Sequence, residues 1–379
     1  MTSVPLPAPK VRGDGYGHAR MPRKITMPEP QRIDPVAYGR FRNVYLYITE
    51  ACQLHCEHCY MGERLERALK IELPRIVDWL TTWRKLGGSK VTILGGEPTL
   101  HPYFVDSIRA AAKIGYEHVI TTTNAQVPAA KKFRQMEPSD FAYIQVSLDG
   151  GSKTTHDVVR GPGTFDIAMA TIDELTARGF DTRIICTVNK SNETDALQLL
   201  TVADELGVSL VKFHVFSTIG VGHGNPEMAM TPPEWVAFCD NLNQVAPEYR
   251  TRVWYQPTYV RRDQIDRYAS EGYQGCIGRT LDRISIFPDG RAYVCSYLFD
   301  TKMNYAQMTD GQVQLNHGPN EFELFTSVLS ESSCGGCKAK ACMGGCPAEE
   351  LVMGASSCSS YPDIVPVCRL WKSSAKPEE

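Results

Sequence analysis

Three cysteines near the start of the chain are spaced closely enough to share one metal group. Cys52, Cys56 and Cys59 form a C-x3-C-x2-C pattern directly after the strand-like run 44–49. A [4Fe–4S] cluster has four irons, so three cysteine thiolates leave one iron without a protein ligand. That iron is open to a chelating small molecule, which favours a reaction centre over an electron carrier. A zinc site is the alternative for these cysteines.

Two further polar motifs follow other strand-like runs. Gly95, Gly96 and Glu97 belong to a Gly-Gly-Glu-Pro motif at the end of the run 91–94. Glycines let the backbone approach a ligand closely, and a buried cation needs an anionic partner such as a carboxylate. Ser147 and Asp149 point the same way from one strand because side chains alternate along it.

The alternation of strands and helices predicts the fold class. Six β-rich runs alternate with helical patterns, which predicts an α/β protein with a parallel sheet and right-handed crossovers. If this sheet curls, it forms a partial (β/α)6 TIM-like barrel, and the active site of such a barrel lies at the carboxyl ends of the strands. All the motifs above fall at such ends. The six runs are 44–49, 91–94, 119–122, 142–148, 183–188 and 210–216.

The remaining cysteines predict a small cluster domain that contains a β-hairpin. Of the 13 cysteines, eight lie between 276 and 368. Such clustering favours metal ligation over disulfides, and the Pro-Asp-Gly sequence at 288–290 predicts a hairpin turn. The predicted boundaries are an extended or disordered arm at 1–42, the barrel at 43–250, a linker at 251–275, the Cys-rich domain at 276–370 and a tail at 371–379.

Composition excludes several classes of function. The chain has 379 residues, 42% of them hydrophobic and 22% charged, with a net charge of −3. This charge gives no reason to expect nucleic acid or a membrane surface as a partner. No run of eighteen apolar residues and no secretory signal is present, so we expect a cytoplasmic, oxygen-sensitive protein. Residues 1–40 hold seven of the 24 prolines, which favours a solvated tail, with a lid or docking arm as the alternative.

The cysteine triplet and the Gly-Gly-Glu-Pro motif resemble the radical S-adenosylmethionine (radical SAM) superfamily. The C-terminal cysteines resemble its SPASM subgroup, which carries auxiliary clusters. The resemblance implies that Cys52, Cys56 and Cys59 hold a [4Fe–4S] cluster and that SAM chelates the open iron. It also implies that Glu97 receives the methionine ammonium and that His58 lies near the adenine.

The same resemblance implies further contacts to SAM and two auxiliary [4Fe–4S] clusters. Ser147 and Asp149 suit the ribose or the carboxylate, Arg160 the carboxylate, and Asn124 the region near the methionine. The spacing between Cys337 and Cys342 is four residues instead of the usual five, and a zinc ribbon is the alternative for Cys334 to Cys346. The implied ligands are Cys276, Cys295 and Cys346 for the nearer cluster, with its fourth position open, and Cys334, Cys337 and Cys342 for the outer one, completed by Cys358 or, preferably, Cys368.

Three residues of the fifth and sixth runs are candidates for catalysis. Cys186 is a candidate hydrogen donor, although it shares a strand face with apolar neighbours and the opposite face is the more polar one. Lys212 and His214 share one face of the sixth run and suit acid–base or substrate contacts. Cys239 lies on the apolar stripe of a helix and is predicted to belong to the core.

The resemblance implies an enzyme that cleaves SAM and abstracts hydrogen from an unactivated carbon through the 5′-deoxyadenosyl radical. Oxidation or crosslinking of a peptide side chain in natural-product maturation is placed first, by analogy. Dehydrogenation or epimerisation of a sugar or aminocyclitol is the alternative, and a non-catalytic Fe–S electron-transfer or regulatory protein is the alternative of another class. The expected partners are a reductant such as flavodoxin or ferredoxin, the substrate, and a separate leader-binding protein.

Overall fold

A sheet of parallel strands forms the centre of the fold. The computed structural model describes residues 31–32, 41–255, 258–270, 273–274, 282–299, 301–309, 312–315, 348, 363–366 and 371–372. All six predicted strands are present, and each is parallel to the next in sequence order. The strands of this half are β1 Gln31–Arg32, β2 Asn43–Thr49, β3 Lys90–Gly95, β4 His118–Thr123, β5 Tyr143–Ser147, β6 Thr182–Val188, β7 Leu210–Val215 and β8 Arg252–Tyr255.

Helices between the strands cover the outer face of the sheet, as the apolar stripes predict. In the second helix Leu80 and Trp83 are fully buried, and the helix ends before Gly87, whose φ of 103° suits glycine. The eighth helix begins at the predicted capping box, where Thr231 and Glu234 cap each other's backbone N–H groups. The helices are α1 Arg64–Arg67, α2 Leu73–Lys85, α3 Phe104–Ile114, α4 Val127–Phe133, α5 Lys153–Arg160, α6 Thr164–Ala177, α7 Glu193–Glu205, α8 Pro232–Val245 and α9 Ile265–Ser270.

The parallel sheet extends beyond the six predicted strands at both edges. At one edge β8 pairs in parallel with β7, and at the other β11 pairs in parallel with β2. The strands of the C-terminal half are β9 Tyr259–Arg261, β10 Tyr273–Gln274, β11 Arg283–Ile286, β12 Arg291–Tyr293, β13 Ala306–Thr309, β14 Gln312–Leu315, β15 Ile364–Pro366 and β16 Trp371–Lys372. The α/β barrel-like fold is confirmed, with eight parallel strands among the described residues.

The predicted hairpin joins β11 to β12, and its first strand belongs to the barrel sheet. The N–H of Phe287 donates to the carbonyl of Arg291 at 3.0 Å, and Gly290 adopts a φ of 84°. Segment 251–275, predicted as a linker, contains β8, β9, α9 and β10. The domain boundaries themselves stay predictions. None of the helices in the described ranges is long and apolar enough to cross a membrane.

Alternation along β6 separates a core face from a face that lines the barrel. Ile184, Cys186 and Val188 are fully buried, whereas Arg183 and Thr187 on the other face are partly exposed. The polar face lines the lumen because helices cover the apolar one. Cys186 thus lies on the core face, as its apolar neighbours predict, and its candidate role as a hydrogen donor stays a prediction.

Arg64 links the segment after β2 to the β11–β12 turn. Its Nη2 donates to Oδ2 of Asp289 at 2.6 Å, and its Nε lies 3.4 Å from Oε1 of Glu50. The guanidinium also stacks over Phe287, with Cζ 4.3 Å from the ring centroid. Because buried charges are costly unless they are paired, these contacts fix the two segments relative to each other.

We expect Arg64→Met to lower the free energy of unfolding by about 3–5 kcal/mol, because breaking a buried ion pair leaves Glu50 with reduced compensation. Arg67, whose Nε lies 3.2 Å from Glu50, provides only part of that compensation. Equilibrium urea unfolding measures the loss. The matched control is Arg134→Met, which removes an exposed pair with Glu174 and should leave the unfolding midpoint nearly unchanged. Equal losses in the two variants would contradict this role of Arg64.

Candidate active site

The cysteine loop, residues 50–60, leaves the carboxyl end of β2 and carries the three cysteines of the first motif. Cys56 is buried, and Cys52 and Cys59 are partly buried; all three are free thiols. The N–H of Cys59 donates to the carbonyl of Cys56 at 3.1 Å, which closes a turn. The carbonyl of Cys59 accepts from the N–H of Val221 at 2.9 Å, which attaches the loop to the segment after β7.

The three thiols suit an iron–sulfur cluster. Burial raises the pKa of Cys52 to about 12 and that of Cys56 to about 11. The value for Cys56 is lower partly because Nη1 of Arg160 lies 3.9 Å from its sulfur. Metal binding must therefore displace protons from these thiols. Three thiols on one loop suit a [4Fe–4S] cluster because such a cluster binds each thiolate through a different iron.

Gly95 and Gly96 bring the end of β3 against the start of the cysteine loop. A Cβ on Gly95 would lie 2.7 Å from the carbonyl oxygen of Thr49, and one on Gly96 would lie 2.6 Å from that of Ala51. The N–H of Glu97 donates to the carbonyl of Ala51 at 2.8 Å. Close contact between two chain segments thus requires glycine at both positions. From the sequence, the approach of a ligand was the expected reason.

The Glu97 carboxylate is buried, with 1% of the residue's surface exposed. Its Oε1 accepts from Oγ1 of Thr99 at 2.6 Å and from Oγ1 of Thr123 at 2.8 Å, and its Oε2 accepts from the N–H of Asn124 at 2.7 Å. Burial raises its pKa, and these hydrogen bonds oppose the rise only in part. All these donors are neutral, so they orient the carboxylate without neutralising it, and a cationic ligand would complement it.

Asn124 connects Glu97 with the cysteine loop. Its Oδ1 accepts from Nε2 of Gln53 at 3.0 Å, and its Nδ2 lies 3.7 Å from the sulfur of Cys52. The structure therefore brings Asn124, Glu97 and Cys52 together, although they come from three different strand ends. Gln53, Thr99 and Thr123 are missing from the sequence prediction. The sequence does contain a signal for these three residues, because each carries an uncharged polar side chain and lies within two positions of a motif residue.

Asp149 collects the charged residues on the other side of the cysteine loop. Its Oδ2 accepts from Nε of Arg160 at 2.6 Å and lies 2.9 Å from Nε2 of His58. Its Oδ1 accepts from the N–H of Thr187 at 2.8 Å. Arg160 in turn approaches the sulfur of Cys56, as described above. These contacts join β5, β6, α5 and His58 of the cysteine loop in one buried network.

The protein itself occupies the oxygens of Asp149, which favours a positioning role over the predicted contact with SAM. Burial alone would raise the pKa of Asp149, but the charges of Arg160 and His58 hold it well below its usual range. Within the described residues Nδ1 of His58 is buried and has no hydrogen-bond partner. His58 therefore has one ring nitrogen left for a ligand, whereas both oxygens of Asp149 already have partners in the protein.

The other predicted residues line the barrel lumen. Ser147 ends β5 on the inward face and is partly exposed. Nζ of Lys212 lies 4.3 Å from the ring centroid of Trp254, and the ring of His214 lies 6.3 Å from the same ring. Lys212 and His214 thus share the face predicted for them and approach β8, whereas Asp149 and Glu97 approach the cysteine loop.

Of the predicted auxiliary ligands, only Cys295 is among the described residues. It is partly buried and precedes Ser296, whose Oγ accepts from the hydroxyl of Tyr47 at 3.0 Å. The Tyr47 and Tyr60 hydroxyls lie 2.7 Å apart, so a buried chain of hydroxyls links the residue after Cys295 with the residue after Cys59. The predicted ligands outside the described residues are Cys276, Cys334, Cys337, Cys342, Cys346, Cys358 and Cys368.

Comparisons with known proteins show a family match in the N-terminal part of the chain. Residues 46–203 match the radical SAM superfamily. The chain is 24% identical over 346 residues to the mycofactocin maturase MftC of Mycobacterium tuberculosis, covering 87% of this chain and 85% of that protein. It is 24% identical to the AdoMet-dependent heme synthase of Methanosarcina barkeri, covering 79% of this chain and 89% of that protein.

The fold is similar to that of Streptococcus suis SuiB bound to its precursor peptide SuiA. The TM-score is 0.64 at 15% identity, covering 81% of this chain and 72% of SuiB. These matches confirm the resemblance to radical SAM enzymes of the SPASM type and the α/β fold predicted with it. Residues 46–203, which contain the cysteine triplet and the Gly-Gly-Glu-Pro motif, thus match the radical SAM superfamily, whose members use SAM and a [4Fe–4S] cluster.

Proposed function

We propose that this protein cleaves SAM reductively and uses the 5′-deoxyadenosyl radical to abstract hydrogen from an unactivated carbon of a peptide. The observation that carries the proposal is the pairing of three free thiols on one loop with the buried Glu97 carboxylate on the adjacent strand end. When bound, the cluster supplies the electron for cleavage. The chain's own residues supply binding, orientation and exclusion of water.

The two carboxylates of the site suit different tasks in binding SAM. Glu97 is held by neutral donors, so it retains its charge for the methionine ammonium. Arg160 is oriented by Asp149 and suits the methionine carboxylate, and His58 offers Nδ1 toward the adenine. Asn124, next to Cys52, suits the region near the methionine.

A peptide is the substrate class that the relatives support best. SuiB was crystallised with its precursor peptide, and MftC is a maturase by name. Oxidation or crosslinking of a peptide side chain is therefore the reaction we propose first. Dehydrogenation or epimerisation of a sugar or aminocyclitol stays the alternative, and the burial of Cys186, its candidate hydrogen donor, favours the first reaction.

We also propose the two auxiliary [4Fe–4S] clusters of the C-terminal region. Their support is the cysteine pattern together with the position of Cys295 on the segment that follows β12, close to the barrel sheet. Auxiliary clusters suit a reaction that removes a second electron from the substrate. We further propose that a flavodoxin or ferredoxin is the reductant and that a separate protein binds the leader of the peptide. The proposed location is the cytoplasm.

The first test is SAM turnover by the reduced, anaerobic protein. We expect the wild type to release 5′-deoxyadenosine and methionine, and Cys56→Ala to abolish both products because the cluster loses one of three ligands. Chromatography of the products measures this. Cys239→Ala, in the core of α8, is the control and should keep turnover. Product formation by Cys56→Ala at the wild-type rate would refute the enzyme assignment.

The second test concerns Glu97 and measures binding, not turnover. We expect Glu97→Gln to weaken SAM binding by about tenfold or more, because a charge-assisted hydrogen bond becomes a neutral one. Equilibrium dialysis of the reconstituted protein gives the dissociation constants. Glu137→Gln, at an exposed position, is the matched control and should bind like the wild type. Unchanged affinity of Glu97→Gln for SAM would contradict the proposed contact between Glu97 and the methionine ammonium.

The third test counts iron. Three complete clusters give about twelve irons per chain, and the double variant Cys337→Ala, Cys342→Ala should retain about eight. Iron and sulfide analysis after anaerobic reconstitution measures both. A stable wild-type count near four would mean that the C-terminal cysteines bind something else, such as zinc in a ribbon.

A further inference from the structure

The last residue of α5 places a cation beside the cysteine loop. Arg160 is largely buried, with 10% of its side chain exposed, and its Nη1 lies 3.9 Å from the sulfur of Cys56, within hydrogen-bond reach of a sulfur acceptor. Burial raises the pKa of Cys59 and of Cys52. The Arg160 charge opposes this rise at Cys59, whereas the Glu97 charge adds to it at Cys52. The loop therefore has a positive charge on its Cys56 side.

A second nitrogen of Arg160 fixes the orientation of the guanidinium. Nε donates to Oδ2 of Asp149 at 2.6 Å. Nε2 of His58 lies 2.9 Å from the same oxygen, so this ring nitrogen carries the hydrogen and does not accept one from Arg160. Because the contacts with Asp149 and with the sulfur of Cys56 use different nitrogens, the guanidinium makes both at once.

Further hydrogen bonds hold the end of α5 against the cysteine loop. The N–H of Glu57 donates to the carbonyl of Val159 at 3.0 Å. The N–H of Asp149 donates to Nδ1 of His156 at 3.0 Å, and His156 is fully buried. Burial lowers the pKa of His156 to about 4, so the ring stays neutral and continues to accept this bond at neutral pH. The position of Arg160 relative to the loop is thus fixed by both the backbone and the side chains.

A cation of this kind changes the redox properties of a cluster. Reduction adds a negative charge, and hydrogen bonds and positive charge near the ligating sulfurs favour it. Cys56 is only 7% exposed, and charges interact more strongly where water is scarce. Burial raises the pKa of Cys56, and Arg160, which lowers it, has a larger effect than Asp149, which raises it. The net charge effect at this sulfur is therefore positive.

We propose that Arg160 is a positioning residue that raises the reduction potential of the cluster through its contact with Cys56. The proposal rests on the proposed function, because it requires a cluster on the cysteine loop. It gives Arg160 a task before SAM is cleaved, in addition to the contact with the methionine carboxylate. A higher potential makes it easier for the reductant to deliver the electron that cleavage requires.

The test measures the midpoint potential of the full-length, reconstituted protein without SAM, by a redox titration followed by electron paramagnetic resonance. The signal that Cys56→Ala lacks is assigned to the cysteine loop. For Arg160→Gln we expect the ratio of reduced to oxidised cluster, at the wild-type midpoint, to fall about tenfold, which is about 59 mV for a one-electron couple. Arg160→Lys should keep most of the wild-type potential because it keeps the charge. Arg134→Gln, which removes an exposed pair with Glu174, is the matched control and should titrate like the wild type.

A second variant covers the case in which Arg160→Gln does not assemble the cluster because Asp149 is left buried without its cation. The double variant Asp149→Asn, Arg160→Gln removes both charges, and its potential should also lie below that of the wild type, by a smaller amount. A wild-type potential in whichever variant assembles would overturn the proposal, and so would equal shifts in Arg160→Gln and Arg160→Lys. Wild-type protein that holds the cluster but does not cleave SAM would refute the proposed function alone.

Discussion

The ion pairs of one buried carboxylate hold the candidate active site together. Asp149 lies at the end of β5 and binds Arg160 of α5, His58 of the cysteine loop and the backbone of β6. In the water-poor interior such contacts are stronger than at the surface, and loss of one leaves the others incompletely paired. The position of the cysteine loop relative to the strand ends therefore depends on a residue that need not touch any ligand.

Glu97 is the counterpart of Asp149 on the other side of the loop, and the comparison shows how environment separates two acids. The cations around Asp149 lower its pKa, whereas burial among neutral donors raises that of Glu97. One carboxylate is thus neutralised within the protein, and the other is oriented for a positive charge from outside. Two similar side chains take up different tasks because one has protein cations and the other has only hydroxyl and amide donors.

The C-terminal hairpin is part of the barrel as well as the start of the cysteine-rich region. Its first strand pairs in parallel with β2, and Asp289 in its turn binds the buried Arg64 behind the cysteine loop. The hydroxyls of Ser296, Tyr47 and Tyr60 continue this contact toward Cys59. The segment 283–296 is thereby joined by hydrogen bonds to the loop that carries the first three cysteines.

The sequence by itself determined the chemistry and the local geometry. The spacing of Cys52, Cys56 and Cys59 and the motif around Glu97 were readable because their residues are close in the chain, and alternation along β6 indicated the face that lines the lumen. Tertiary structure alone decided which groups surround them. The donors to Glu97 from Thr123 and Asn124, the contact of His58 with Asp149, and the addition of β8 and β11 to the sheet all join segments far apart in sequence. Periodicity fixes the face on which a side chain lies, but its partners depend on register and packing between distant segments.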